Sequence, residues 1–396
     1  MKVFISLLLC FSFVFAKSDK ISHIPPVKNV IVNLDTTSCD LTCMQELLDE
    51  GKIFSFLGYY NASMDELELM HSEFEYYKKI FRIFEAQKMS IRVALLIPQK
   101  SIRRYAVTTV NSVLAYLMSK PNNFELKVFN SINENEDSLL KEIKKIKDDG
   151  FTYVIAPLTD AGAKIVTKNS QGLVIYIPTV HKSKVDYELP NVVFGGIDYE
   201  KQIEELLRYT NDKVAYFGDG SFLSSSLNNI LLEKVPNIVY RKNISSSRIS
   251  FKRIMKKNKK LQESSIFMNT PLVKTSLIAS QLRYYELKPY ALLSTQINYN
   301  PMLLTLTQYE DRENFYIANS IGKSTVSMEE FNSLFGHDIV YDWVNYATSV
   351  GIDYFYTRFF VPVSNSAFKE VIEDGQAQYD VSIVQPKRYS FKKVLF

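Results

Sequence analysis

The sequence predicts an α/β fold of two lobes, each a doubly wound parallel sheet, preceded by a small mainly helical N-terminal unit. Three observations predict it. Between residues 91 and 293 short apolar runs alternate with amphipathic helical stretches, the pattern of successive βα units. The runs are continuously apolar, as in strands covered by helices on both faces. After FGG at 194–196 the alternation starts again, so a second lobe follows the first.

Residues 1–16 read as a cleavable export signal. Met1 and Lys2 give a minimal positive start, Val3 to Phe13 an apolar core, and Val14, Phe15 and Ala16 a small-x-small cleavage site. The run is too short for a membrane anchor, which needs about 20 apolar residues, and it is followed by KSDK. The expectation is an exported, periplasmic protein starting at Lys17, with no transmembrane anchor after cleavage. Cys10 follows Leu8 and Leu9, where a lipidated cysteine wants small residues, so lipidation is not expected.

Residues 17–90 read as a linker, to about Pro26, and a small helical unit with one strand, VIVNL at 30–34. Cys39 and Cys43 are the cysteines that survive signal removal. They lie four apart at a helix start that Ser38 can cap, with Leu47 and Leu48 beginning the apolar stripe. Two thiolates are too few for a structural zinc site, and CxxxC is not the redox CxxC spacing. A local disulfide fits an oxidising compartment, with free thiols the other reading. The helix at 63–87 places Leu67, Met70, Phe74, Tyr77, Phe81 and Phe84 three and four apart. This face is expected to pack on the chain itself, against the helix at 40–50 and the first lobe; docking a partner is the alternative.

From Ile91 the strands are IRVALLI, FELKVF, TYVIAP, LVIYIP, NVVFGG, KVAYFG, NIVY, SIFMN and YALLS, with crossover helices at 103–119, 137–148, 159–169 and 198–209. Residues 91–197 with about 324–356 are assigned to lobe 1, and 198–323 with about 357–396 to lobe 2. Gly195 and Gly196 suit the crossing or hinge. Asp374 and Gly375, flanked by alternating residues, signal a hairpin in the tail.

These stretches resemble the type I periplasmic binding protein superfamily, the Leu/Ile/Val-binding-protein fold, over roughly 91–396. The resemblance is carried by VALLIPQKS, GFTYVIAPLTDAGA, LVIYIPTV, the segment from FGGIDYEKQ to SSSLNNIL, SIFMNTPLVKTSLIASQLRYYELKPYALLS and DIVYDWVNYA. It implies a two-lobed protein that binds rather than catalyses. Within it, solute receptors of ABC importers receive an amino-acid carboxylate on a Gly- or Ser-rich loop after the first strand. Here that loop reads Pro98-Gln99-Lys100-Ser101-Ile102-Arg103-Arg104, with no glycine. The C-terminal domain of the lipoprotein activators of penicillin-binding proteins is similar in its first strand end and in following a helical region.

Open α/β sheets bind ligands at the carboxyl ends of strands. That rule selects Gln99 and Ser101, Thr159 and Asp160, Thr179 and His181, Asp219 and Ser221, and Asn269 and Thr270. Hydroxyls and amides there suit a polar ligand, and Asp160 or Asp219 an ammonium. Thr159, Asp219 and Thr270 also stand just before helices, where capping alone accounts for them. His181 has no surrounding metal-ligand set and reads as a surface residue.

No G-x-S-x-G, H-E-x-x-H, G-x-x-x-x-G-K or G-x-G-x-x-G occurs, so hydrolase, metalloprotease and nucleotide-binding readings have no motif. Neither enzyme nor cofactor is expected. With 47 Lys+Arg against 43 Asp+Glu and a formal charge of +4, nucleic acid is not expected as a partner. The run RISFKRIMKKNKK holds Arg248, Lys252, Arg253, Lys256, Lys257, Lys259 and Lys260. It suits weak contact with anionic surfaces, or the solvated face of a helix buried through Phe251, Ile254 and Met255. The expected role is a non-enzymatic binding or regulatory module of the cell envelope whose partner is an envelope protein or a small polar ligand. The alternative is an ABC importer's receptor for a small polar solute such as an amino acid.

Overall fold

A computed structural model describes residue 24 and residues 39–60, 68–81, 91–186, 189–245 and 249–394. The export signal, the strand read at 30–34, Ser38, Leu67, Phe84 and Arg248 lie outside the described residues.

The N-terminal unit packs the helices Leu41–Asp49, Ile53–Tyr59 and Glu68–Ile80 around buried Met44, Phe56, Leu57 and Met70. Phe74, Tyr77 and Phe81 pack on this cluster, and the Phe74 ring stacks on Tyr60 at 3.9 Å between centroids. The stripe thus serves a core of its own. The first helix is capped by Asp40, whose carboxylate accepts from the Cys43 N–H, and not by Ser38. Cys39 and Cys43 form a disulfide across Cα atoms 5.4 Å apart.

The two-lobed domain contains two seven-stranded sheets. The first is built from β1 (Ile91–Ile97), β2 (Phe124–Asn130), β3 (Tyr153–Ile155), β4 (Val174–Ile177) and β5 (Val192–Phe194). The second uses β6 (Val214–Gly218), β7 (Ile238–Asn243), β8 (Ser265–Asn269), β9 (Ala291–Ser294) and β10 (Phe315–Asn319). The tail adds β11 (Ile372–Glu373) and β12 (Gln376–Ala377) to the first sheet, and β13 (Ser382–Pro386) and β14 (Phe391–Lys393) to the second. The orders are β2-β1-β3-β4-β5-β12-β11 and β7-β6-β8-β9-β10-β13-β14. Each lobe therefore repeats the doubly wound order 2-1-3-4-5, whose switch point lies between its first and third strands.

Strand composition follows position. In the second sheet every residue of β6 and β8 is buried, as their continuous apolar runs require when helices cover both faces. The edge strand β2 carries exposed polar side chains, which blunts an edge against further pairing. Helices follow the same logic. In Glu136–Asp148, Asn135 accepts from the Ser138 N–H, acids open the first turn, lysines close the last, and Leu139, Ile143 and Ile146 are buried. The short helix Phe251–Met255 buries Met255 and half-buries Phe251 and Ile254, leaving Lys252, Arg253, Lys256, Lys257, Lys259 and Lys260 exposed.

The tail divides differently from the sequence expectation, which gave all of 357–396 to lobe 2. The Asp374–Gly375 hairpin forms, both residues having positive φ (48° and 74°), as a tight type I′ connection requires. It pairs with the first sheet, Gln376 lying parallel to Phe194. Only β13 and β14 join the second sheet, and neither these strands nor β10 had been read from the sequence.

The second lobe also carries an ion pair between a buried carboxylate and a half-exposed guanidinium. The Asp311 carboxylate is bound by the Arg283 guanidinium, by Ser280 Oγ at 2.8 Å and by the Gln308 N–H at 3.0 Å. Burial opposes its charge, but these donors prevail and hold its pKa below the usual value. Because the folded pKa lies under the unfolded one, this contribution to stability is complete above about pH 4 and is lost as pH falls through the folded value. Asp311→Asn is expected to flatten the acid limb of Tm against pH. An unchanged acid limb would refute the assignment.

The chain crosses between lobes after β5, after β10 and after β12. The crossing at Gly195 and Gly196 is pinned. Tyr379 Oη donates to the Gly195 carbonyl at 3.1 Å, Gln376 Nε2 to the Gly196 carbonyl at 3.2 Å, and the Gly196 N–H to the Val180 carbonyl at 2.9 Å. A Cβ on Gly196 would strike the backbone of Val180 and His181, so glycine is needed here for close approach. Gly196→Ala is expected to lower stability by about 1–3 kcal/mol, as overpacking does, measured by urea unfolding.

Candidate functional site

At the mouth of both sheets lies a cleft of about 1020 Å³ lined by residues of both lobes. Its second-lobe wall is the carboxyl end of the central strands: Asp219 and Ser221 after β6, Asn269 and Thr270 at the end of β8, and Gln296, Ile297 and Tyr299 after β9. This is the switch point, where open sheets take ligands. The first-lobe wall is Arg104, Tyr105, Val107 and Thr108, at the start of helix Tyr105–Met118, together with residues 336–338 and 341–344.

The residues selected from the sequence divide by lobe. Asp219, Ser221, Asn269 and Thr270 line the cleft; Gln99, Ser101, Thr159, Asp160, Thr179 and His181 do not. The first-lobe set is largely engaged in its own lobe. Gln99 Oε1 accepts from Asn130 Nδ2 at 2.9 Å, and Thr159 N and Oγ1 both donate to Glu134. Thr179 Oγ1 bonds the Leu158 carbonyl and accepts from the Leu158 N–H. Asp160 opens the helix Asp160–Lys168, burial pushing its carboxyl up against the pull of Lys184 and Lys164. His181 Nδ1 contacts Ser183 Oγ at 2.9 Å, and burial lowers its pKa despite Asp198.

The capping readings shift by a residue or two. Ser221, not Asp219, caps Phe222–Lys234, and Pro271, not Thr270, precedes Leu272–Tyr284. Thr159 stands at the cap position of its helix without a side-chain cap bond. Asp219 instead orders the loop: its Oδ1 accepts from Ser221 N at 3.0 Å and Oγ at 2.6 Å, and its Oδ2 lies 3.7 Å from Lys274 Nζ. Burial opposes its charge, but Ser221 and Lys274 hold the carboxyl below the usual range.

Beneath this wall runs a buried amide and hydroxyl network. Asn269 Nδ2 donates to Asn228 Oδ1 at 2.8 Å. Asn298 Nδ2 lies within 2.8–3.3 Å of the Met268 and Thr270 carbonyls, Thr275 Oγ1 and Ser294 Oγ. Gln296 Oε1 accepts from the Ser320 N–H at 2.7 Å, and its own N–H donates to Gln202 Oε1 at 2.9 Å. Burial first, then Tyr341 and Asp338, push the Tyr299 phenol well above its usual range, so it is a neutral group at ordinary pH. Opposite, Arg104 stacks its guanidinium 5.1 Å from the centre of the Tyr105 ring with Asp342 nearby. The walls thus offer neutral hydrogen-bonding groups, the carboxylates of Asp219, Asp338 and Asp342, the His337 imidazole and one stacked guanidinium, an arrangement suited to binding. Among the described residues no group of three or more His, Cys, Asp or Glu could hold a metal, and no helix is long and apolar enough to cross a membrane.

Sequence reasoning missed Gln296, Tyr299, Arg104 and the loop at 336–344. The strand-end rule, applied after YALLS, would have found Gln296. DIVYDWVNYA marks part of this segment as resembling the family, but no local pattern places it at the cleft; residues 336–342 join two helices and reach it only through tertiary packing.

No protein-family model and no curated protein matches the sequence. Solved structures do. An extracellular ligand binding receptor from Desulfohalobium retbaense matches at TM-score 0.56 and 13% identity over 78% of this chain, which spans 60% of that protein's length. The leucine binding protein LivK from Thermotoga maritima matches at TM-score 0.54 and 13% identity, over 77% of this chain and 98% of that one. Full-length LpoA from Haemophilus influenzae matches at TM-score 0.50 and 10% identity, over 90% of this chain and 75% of that one. The likeness is one of fold: this chain has the two-lobed architecture of the type I periplasmic binding proteins, with a seven-stranded sheet in each lobe.

Proposed function

We propose that this protein is a non-enzymatic binding or regulatory module of the cell envelope, exported to the periplasm, which holds a ligand between its lobes without serving as an amino-acid receptor. The observation that carries this reading is the first-lobe wall of the cleft. Gln99 and Ser101, on the loop after the first strand from which an amino-acid carboxylate would be received, do not line it, and neither do Thr159 and Thr179. Arg104, stacked on Tyr105, takes their place. The match to LpoA supports the same reading, since it extends over more of this chain than the match to LivK.

The second reading, an importer's receptor for an amino acid, is favoured by the likeness of the two lobes to the leucine binding protein. Ligand binding to the native state alone raises stability by about 2.7 kcal/mol at a hundredfold excess over Kd, so a thermal-shift screen separates the two. None of the standard amino acids is expected to raise Tm. A saturable rise with any of them, lost when Val107→Trp narrows the cleft, would establish the receptor reading instead.

A further inference from the structure

The polar floor of the cleft holds an uneven set of satisfied and unsatisfied atoms. Asn269 Oδ1, Thr295 Oγ1, Gln296 Nε2 and Asn298 Oδ1 are buried and have no hydrogen-bond partner. Folded proteins leave few buried polar atoms unpaired, and these belong to the ends of two neighbouring strands. β8 and β9 pair in parallel, Ser265 with Ala291 and Phe267 with Leu293. Continued, that register brings Asn269 level with Thr295 and beside Gln296. Asn269 and Gln296 line the cleft although they are only 0% and 6% exposed.

The orientation of Gln296 follows from its bonded end, and that of Asn269 is the one its bond to the Asn228 amide takes in the structure. The Ser320 N–H requires an oxygen at Gln296 Oε1, which leaves Nε2 as an unused donor. Asn269 spends its Nδ2 on Asn228 Oδ1, which leaves its oxygen as an unused acceptor. One acceptor and one donor on the same wall are complementary to a group that shows N–H and C=O along one edge. A primary carboxamide does so, and so do the N–H and C=O of one residue in an extended peptide.

Charge argues for a neutral group. The charged groups of the cleft are engaged within the chain: Asp219 is held by Ser221 and Lys274, Asp338 accepts from the Val340 N–H and Asp342 from the Asn345 N–H, and Arg104 on the facing wall stacks on Tyr105. Around the polar floor, the cleft is lined by the apolar side chains of Val107, Leu223, Val273 and Met302, which are 59%, 36%, 57% and 54% exposed. Surface of this kind suits an apolar substituent.

We propose that the second-lobe wall binds an uncharged amide with an apolar substituent, whose N–H is accepted by Asn269 Oδ1 and whose C=O accepts from Gln296 Nε2. The inference rests on the ligand-holding cleft proposed above and names the chemistry it takes. Calorimetric titration of the full mature chain with three probes tests it: N-acetyl-leucine N-methylamide, 4-methylpentanamide and free leucine. At least one amide is expected to bind saturably, the blocked leucine marking a peptide source and the carboxamide a small-molecule source, while leucine does not. Gln296→Glu keeps the oxygen that accepts from Ser320 but turns the unused donor into an acceptor; it is expected to weaken the amide at least tenfold. Asn269→Ala is expected to do the same and serves if the first variant fails to fold, as judged by circular dichroism. Amide binding that survives both variants, or no amide binding at millimolar concentration, overturns this inference and leaves the preceding one standing. Free leucine binding as tightly as either amide overturns both.

Discussion

Replacing Asp353 by alanine is expected to destabilise the two-lobed domain by about 3 kcal/mol or more. Asp353 is 2% exposed, near the end of the helix Trp343–Phe355. Its Oδ1 accepts from Tyr116 Oη at 2.6 Å and from the Ala367 N–H at 3.0 Å, and its Oδ2 from Ser366 Oγ at 2.5 Å. One carboxylate therefore ties this helix to Tyr105–Met118 and to the segment that carries the chain on to β11. Alanine would strand the Tyr116 hydroxyl and the Ala367 N–H, whereas the exposed Ser366 keeps the Phe368 carbonyl as acceptor; each buried donor left unmade costs about 1–3 kcal/mol. Tyr116, wholly buried, cannot turn to water. Asp353→Asn keeps the shape and one acceptor and should cost about half as much. Urea unfolding followed by Trp343 fluorescence checks both. A loss under about 1 kcal/mol for alanine would mean that apolar packing alone holds these elements.

The parts of the fold legible in the sequence are those set by burial. β1 and β8 were read to the residue because strands covered on both faces carry continuous apolar runs, VALLI in β1 and IFM in β8. Most bounds elsewhere shift by a residue or two, but β7 runs three residues beyond NIVY and the helix read as 63–87 ends at Ile80. The partner sheet of β11 was not legible. A two-residue strand has no periodicity, and β11 reaches the sheet only through β12, whose place is set by the pairing of Gln376 with Phe194, far apart in the chain. The turn between β11 and β12 was legible because its chemistry is local.

The site divides for the same reason. Strand ends of the second lobe could be named from the sequence because β6 and β8 adjoin the switch point and their loops open directly on the cleft. In the first lobe the same rule misleads. Glu134 arrives from the loop before the helix Glu136–Asp148 and captures both donors of Thr159, a contact across 25 residues that no local pattern announces. Arg103, with φ 51° and ψ −117°, separates the helix Gln99–Ile102 from Tyr105–Met118, so Gln99 and Ser101 fall on one side of a reversal and the cleft-lining Arg104 and Tyr105 on the other. Positive φ at a non-glycine residue is rare, and nothing in the letters RR marks it.

Phe56→Ala is expected to melt the N-terminal unit while leaving both lobes folded. Phe56 is 0% exposed and packs with Met44, Leu57 and Met70 in a cluster that also receives Phe74, Tyr77 and Phe81. Truncating a buried phenylalanine costs about 3–5 kcal/mol. A core this small supplies about that much in total, and the Cys39–Cys43 disulfide closes too short a loop to add more than about 2 kcal/mol. The deficit therefore falls on the whole unit. Hydrogen exchange on the full chain resolves it: amides of Leu41–Asp49, Ile53–Tyr59 and Glu68–Ile80 should lose their protection together, while those of β1 and β8 keep theirs. Protection retained in the three helices would show that contacts beyond their own core hold them, and the cluster around Phe56 would not be what keeps the unit folded.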